Sequence, residues 1–453
     1  MSSSAFLLSP SVASLPAYTA RPARRPSTAG GAPRTLTEHV FEIKKDKLLA
    51  GKEKKAWATL TLRSSARSAS SLPTFLEGDK LTGEVTLDVS GSEGILGVSI
   101  AVRGQIVTGP QQHLCFLDMS TPLWLKGMPA AGNGKLSGDH HWPFSISLPG
   151  EVTLPCPAAS PSWHRHHPET APKKTYRLPQ TFLERTSIAT VYYELFVHIS
   201  RSTFRVDNKL QTMFIYVPAL RPEPPSRPRQ LAYRQNTPVP GPDMDPEGWH
   251  TMRAVEIAGT VFGARHVKIE AMLSLAKPLS YTRGSVIPCS LTYLCSDTQA
   301  LNLICTPLTN HVCLHRQTTY IQAPAVAEHS HHVHSFATAD SVIGISRAVW
   351  WPVRLAEDAG DERKRRRFDG EIHLPKSLKP SSRVSHFSIS YFVVMLPFQV
   401  TGFMPEDNSR PHLRQEVQIA TMFSKGPKPR AYTPPSYEIS EVGADNTFFI
   451  PPS

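Results

Sequence analysis

The chain has 453 residues, 42 prolines and a formal net charge of +12, and beyond roughly 250–300 residues one hydrophobic core gives way to several domains. Its longest apolar run, Tyr391 to Leu396, is broken by Pro397 and Gln399, far short of the ~20 residues that span a bilayer, so no transmembrane helix is expected. The six cysteines (115, 156, 289, 295, 305, 313) form no C-x-x-C pair and mostly lie in apolar runs, which fits free thiols in a reducing cytosol.

Residues 1–34 are rich in Ser, Ala and Pro and are expected to be a disordered tail. Prolines 10, 16, 22, 26 and 33 oppose the amphipathic helix of a transit peptide. Eight period-two runs follow within 35–218: His39 to Ile43, Ala56 to Leu62, Leu81 to Val89, Gly97 to Val107, His113 to Leu125, Trp142 to Leu148, Ile188 to Ser200, and Leu210 to Val217. Short strands at this spacing, nearly without helical periodicity, read as an antiparallel β-sandwich. A His/Pro/Ser loop from Pro155 to Lys174 interrupts it. Residues 219–248 are so proline-rich that an extended interdomain linker is expected. A second set of eight runs fills 249–425: Thr251 to Val261, Val267 to Leu275, Val286 to Cys295, Thr309 to Gln317, Ala337 to Ile345, Phe368 to Leu374, Val384 to Val400, and His412 to Met422. Residues 426–453 again read as a disordered, proline-rich tail. The expected fold class is all-β, with two sandwiches of seven to nine strands each.

The halves echo one another. After Gly284, the side chains of Ile287, Cys289, Leu291, Tyr293 and Cys295 alternate with Pro288, Ser290 and Thr292, the pattern of a half-buried strand. After Gly78, an offset of 206 residues, Leu81, Gly83, Val85, Leu87 and Val89 repeat it. P-F-S-I-S-L-P at 143–149 is answered by G-E-I-H-L-P at 370–375, and A-T-V-Y-Y-E-L-F-V-H-I-S from Ala189 by S-H-F-S-I-S-Y-F-V-V-M-L from Ser385.

The run V-I-P-C-S-L-T-Y followed by S-D-T-Q-A-L-N-L resembles the C-terminal domain of arrestins. E-G-D-K-L-T-G-E-V-T-L-D-V followed by V-S-I-A-V-R-G resembles the matching segment of their N-terminal domain. The similarity covers roughly residues 35 to 425, and the tail motifs resemble the α-arrestin branch. The resemblance implies two arrestin-like sandwiches in an adaptor that brings a HECT-type ubiquitin ligase to membrane cargo, a receptor or transporter, and so promotes its ubiquitination, endocytosis and sorting. It also implies a cytoplasmic protein recruited to the plasma membrane or endosomes.

Tyr432-Thr433-Pro434-Pro435-Ser436-Tyr437 contains P-P-x-Y, the ligand pattern of WW domains. Polyproline II has three residues per turn, so Pro434, with Pro435 beside it, and Tyr437 present one side to an aromatic-lined groove. The bland alternative is a solvated tail. Leu15, Pro16 and Tyr18, in L-P-A-Y, resemble a weaker form of this ligand, and two such tails would add avidity.

Arg363, Lys364, Arg365, Arg366 and Arg367 follow two acids and read as a charged hairpin loop. The alternatives are a patch for anionic phospholipid or a nuclear address. Without interleaved aromatics, no nucleic-acid partner is expected. His164, His166 and His167, and His329, His331, His332 and His334, lack an acidic or Cys partner at ligand spacing, so they read as solvated and no metal or other cofactor is expected. No G-x-S-x-G, P-loop, G-x-G-x-x-G or H-E-x-x-H occurs, so nothing nominates a catalytic residue. Two other readings stay open: a basic β-sandwich scaffold on anionic membranes, and a metal hydrolase resting on the histidines.

Overall fold

The computed structural model describes residues 36–44, 56–89, 94–109, 112–127, 136–155, 172–202, 206–322, 337–353, 364–398, 400–433 and 448–449. The fold is all-β, and every one of the expected runs is occupied by strand. Two runs are interrupted directly after their first residue, one between Thr251 and Val255 and the other between Val384 and Phe387.

In the first half, one sheet orders the strands Thr37–Lys44, Ala56–Ser64, Lys80–Val89 and Gly138–Ser147. The other orders Thr74–Leu76, Asn208–Val217, Thr190–Arg201, Ile95–Gly109 and Gln112–Leu125. Alternation explains their packing. Leu81, Val85, Leu87 and Val89 are at most 1% exposed, and they join Ile100, Val102, Leu195 and Val197 of the second sheet in the core, where each fully buried aliphatic side chain contributes about 1.5–3 kcal/mol. Gly83 occupies the same inward row because its cross-strand partner Phe144 needs the space; a Cβ there would lie 2.7 Å from the ring. A hairpin of Glu151–Pro155 and Lys173–Arg177 frames the His/Pro/Ser loop, whose tip lies outside the described residues.

The second half is one large curled sheet. Its order is Ser280–Thr282, Leu413–Ala420, Phe387–Met395, Val312–Gln322, Ala337–Pro352, Arg365–His373, Val286–Leu294, Arg265–Ala276, Val255–Val261 and Phe403–Pro405. Ile287, Cys289, Leu291 and Tyr293 are at most 1% exposed, as the period-two pattern requires. The strand is not half-buried, however. Val286, Pro288 and Ser290 on its other face are buried as well, so something covers the outside of the sheet.

Part of that cover is the proline-rich segment expected to be an extended linker. It contains helix α1, Arg227–Gln235, which starts where Pro228 sits at the first turn and stops where Asn236 turns left-handed at φ 57°. Proline is tolerated there because the first-turn N–H groups have no intrahelical acceptor anyway. Arg229, 2% exposed, donates to the carbonyls of Lys277 and Gly248 at 2.5 Å each and lies over the Trp249 ring. Two carbonyls on its terminal nitrogens and an aromatic face hold the buried guanidinium, whose Nε has no partner among the described residues, and so tie the helix to the strand edge. A second helix, α2, Thr298–Ile304, was also unexpected; Asp297 caps it by accepting from the N–H groups of Gln299 and Ala300, and Ala300, Leu301 and Ile304 are buried.

The two halves meet through charge as well as apolar surface. Glu184 receives Arg316 in a bidentate pair at 2.8 and 2.5 Å. Arg316 is 9% exposed and lies over the Phe182 ring, which packs on Phe387 at 5.5 Å. Arg283 donates to Gln180 at 3.4 Å beside this pair.

Candidate partner-binding site

On the strand Arg365–His373, residues 366, 368, 370 and 372 face one way and Arg365, Arg367, Asp369, Glu371 and His373 the other. The outward row carries a titratable side chain at every position, and two other segments end on it.

The first is the linker. Arg367 donates to Asp243 at 2.5 Å, to Asp369 at 3.2 Å and to the Ser290 hydroxyl at 3.2 Å. The basic run is therefore not a charged loop over its described length: Arg365, Arg366 and Arg367 are strand, and Arg367 is buried at 9% exposure. Period-two geometry drives Arg367 under the linker, where two acids neutralise it. Arg365 approaches Asp243 at 4.0 Å and Arg366 donates to Asn302 at 2.8 Å. Lys364 is exposed, and Arg363 lies outside the described residues. Of the four described cations of the run, Arg367 is buried and paired rather than free.

The second is the tail. After the last long strand, Thr421 and Met422 bond to Leu220, and Arg221 donates to the carbonyl of Phe423. Arg430 then donates to Asn236 at the end of α1. At Glu371 the tail is held firmly. The N–H of Tyr432 donates to both carboxylate oxygens at 2.8 and 3.0 Å, the N–H of Thr433 donates at 3.2 Å, and the Thr433 hydroxyl donates at 2.9 Å. The Tyr432 ring sits 6.4 Å from Trp351, and His373 Nε2 is 3.1 Å from the Thr433 hydroxyl. Residues 426–433 are thus docked, which corrects the expectation of a loose tail from Gly426. Three donors making four hydrogen bonds to one carboxylate outweigh the local proline content.

Glu371 is 2% exposed. Burial raises its pKa, and the Tyr432 N–H, the Thr433 hydroxyl and His373 pull it back by favouring the ionised form. Nearby, Tyr233 of α1 is pushed up to about 12 by burial, so it stays a neutral phenol.

The four residues that follow Thr433 are Pro434, Pro435, Ser436 and Tyr437. They lie outside the described residues, as do Leu15, Pro16 and Tyr18 and both histidine clusters. Phe448–Phe449 pairs with Ile343 and Gly344, so the stretch 434–447 is bounded at both ends by contacts to the sheet. Sequence reasoning found the motif but missed its anchor. The signal was present as R-x-R-x-D-x-E-x-H from Arg365 to His373, a fully titratable row that a half-exposed strand would not need.

Between the linker, the tail and the strand edge is a cavity of about 40 Å³, lined in part by Arg229, Tyr233, Pro288, Ser424 and Pro429. Small-molecule sites occupy about 300–1,000 Å³, so it holds water at most. A hollow of about 570 Å³ beside Glu256, Lys268, Glu270 and Lys364 is open to solvent, and Lys268 donates to Glu256 at 2.8 Å within it. Burial pushes up the thiol pKa values of Cys289, Cys295, Cys305 and Cys313, the opposite of what a nucleophilic thiolate needs. Among the described residues no group of three or more His, Cys, Asp or Glu side chains could hold a metal ion, and no helix is long and apolar enough to cross a membrane. Neither the family models nor the curated proteins compared with the chain match it.

Proposed function

We propose that the chain is a non-catalytic adaptor of α-arrestin type. Its β-sandwich body would hold membrane cargo, a receptor or transporter, while Pro434, Pro435 and Tyr437 dock in a WW domain of a HECT-type ubiquitin ligase. Ubiquitin is then transferred to the cargo or the adaptor, and the cargo is sent to endocytosis and sorting. The observation that carries this reading is the docking of Tyr432 and Thr433 on Glu371, which brings the chain to the body's surface one residue before P-P-S-Y. A tail that served only as a solvated end would need no buried carboxylate to fix its course. The ordered arrestin-like motifs and the all-β fold support the same reading. The anionic-membrane alternative rests on the basic run, whose Arg367 is buried and paired with Asp243 and Asp369.

The test is affinity capture of HECT ligases by the full chain and by a chain ending at Thr433, which keeps the Tyr432 and Thr433 contacts to Glu371 and gives up the Phe448–Phe449 pairing. Ligase capture by the full chain only supports the adaptor. Equal capture by both removes P-P-S-Y from the function.

A further inference from the structure

The contact between tail and body turns on one hydroxyl. Thr433 Oγ1 donates to Glu371 Oε2 at 2.9 Å, and the next residue in the chain is Pro434. A threonine followed by proline is the minimal substrate pattern of proline-directed kinases, whose groove accepts the N-alkylated amide that other kinases reject. We propose that Thr433 is a phosphoacceptor for such a kinase, and that phosphate on Thr433 expels the tail from Glu371.

The chemistry is an ordinary phosphoryl transfer from ATP. The bond between the γ-phosphorus and the bridging oxygen breaks, a bond from that phosphorus to Thr433 Oγ1 forms, ADP leaves, and the hydroxyl proton passes to the kinase's catalytic base. Two changes at the anchor follow. Oγ1 loses the hydrogen it donates, and the side chain gains a charge of about −1.5 to −2. It gains it directly against the carboxylate of Glu371, whose side chain is 3% exposed. Like charges at hydrogen-bond distance with little water between them do not stay together. The imidazole of His373 lies 3.1 Å from Oγ1 and 3.9 Å from the Glu371 carboxylate, but it is half exposed. It offers the phosphate a partner outside the cleft rather than a reason to remain in it.

Access for the kinase comes from the anchor's own economy. Every described bond that Tyr432 and Thr433 make to the sheet through backbone N–H groups ends on the one carboxylate, so a single local opening frees the segment without unfolding the strand beneath it. The phosphoacceptor assignment stands without the WW reading; its consequence for ligase capture rests on that reading. No spacer separates Thr433 from Pro434 in the sequence, so releasing Thr433 from Glu371 removes a tether immediately ahead of the ligand prolines. When only a fraction of molecules is competent to bind, apparent affinity falls by that fraction, and releasing the anchor restores it.

The experiment incubates the full chain with a proline-directed kinase and ATP, beside Thr433→Ala, and maps the phosphate by mass spectrometry. Hydrogen exchange is then followed over 428–433. The expected result is a phosphate on Thr433 and exchange at Tyr432 and Thr433 about tenfold faster or more, with the strand Arg365–His373 unchanged apart from its outward row. Glu371→Gln, which keeps the shape and removes the charge, is expected to speed the same amides with no kinase present. Phosphorylation of a peptide spanning Arg430 to Glu441 but not of the full chain overturns the proposal. So does a phosphorylated chain that keeps its protection at Tyr432. A WW titration of the same samples is read separately: a released tail with no WW binding leaves the Thr433 site standing and removes the ligase.

Discussion

The carboxylate of Glu371, inside the sheet, accepts the backbone N–H of Tyr432, inside the tail, at 2.8 Å. Strand and tail are 61 residues apart in sequence, and this bond fixes where the chain leaves the body. Docking stabilises the ionised form of Glu371, so it lowers the pKa that burial has raised. A carboxylate whose pKa is depressed by an interaction contributes that interaction above its pKa and loses it as pH falls through it. Because burial holds the Glu371 pKa above the ordinary 4.5, tail protection is expected to fade on mild acidification. Exchange protection factors at Tyr432 and Thr433 check this across pH, and Glu371→Gln should abolish the dependence.

A second test concerns the joint between the halves. Arg316 is 9% exposed and Glu184 24%, and removing one partner of a buried pair costs about 3–5 kcal/mol because the other is left uncompensated. Partial exposure of Glu184 puts Glu184→Ala near the lower end. Replacing both residues, Arg316 by Met and Glu184 by Leu, should recover most of the loss. Denaturant unfolding of the two variants measures it, and equal destabilisation by both would mean that packing rather than charge holds the joint.

Leu291 is fully buried in Val286–Leu294, opposite Leu273 and Phe368. Leu291→Asp places an unpaired carboxylate in the core, at a cost of several kcal/mol. The second half is expected to lose its cooperative unfolding transition by calorimetry, while Leu291→Met is tolerated.

Four histidines titrate low. Burial lowers the pKa of His311, His315, His386 and His412 from the ordinary 6.5. A base whose folded pKa is depressed binds fewer protons folded than unfolded, so stability rises with pH across that window and is lost as pH falls through and below 6.5. Thermal unfolding followed from neutral pH downwards should show the midpoint dropping before the carboxylates titrate. His386 is the cleanest single site, since burial alone shifts it, and His386→Phe should flatten part of the slope.

Strand positions were legible because period-two alternation survives at almost every core strand; Leu81 to Val89 and Ile287 to Tyr293 point inward as their spacing requires. The linker was misread because proline content says where a helix cannot continue, not where it cannot begin, and Pro228 sits where it is tolerated. The basic run was misread because charge alone does not separate a loop from a strand. The row of Arg367, Asp369 and Glu371 needed its partners, Asp243 and the tail, which are more than 60 residues away in sequence. The cap at Asp297 stands just before Ala300, Leu301 and Ile304, whose spacing is helical, and so is legible in the sequence.

The most direct measurement is titration of WW domains from HECT ligases with the full chain and with Tyr437→Ala. Truncating an aromatic anchor typically costs about 2–4 kcal/mol, roughly a 30- to 1,000-fold loss at about 1.4 kcal/mol per decade. Tyr437→Phe keeps the ring and should lose far less. Micromolar binding by the full chain that disappears in Tyr437→Ala and largely survives in Tyr437→Phe is the expected result. No binding by the full chain and by a peptide spanning Arg430 to Glu441, or binding that Tyr437→Ala leaves unchanged, would contradict the adaptor function.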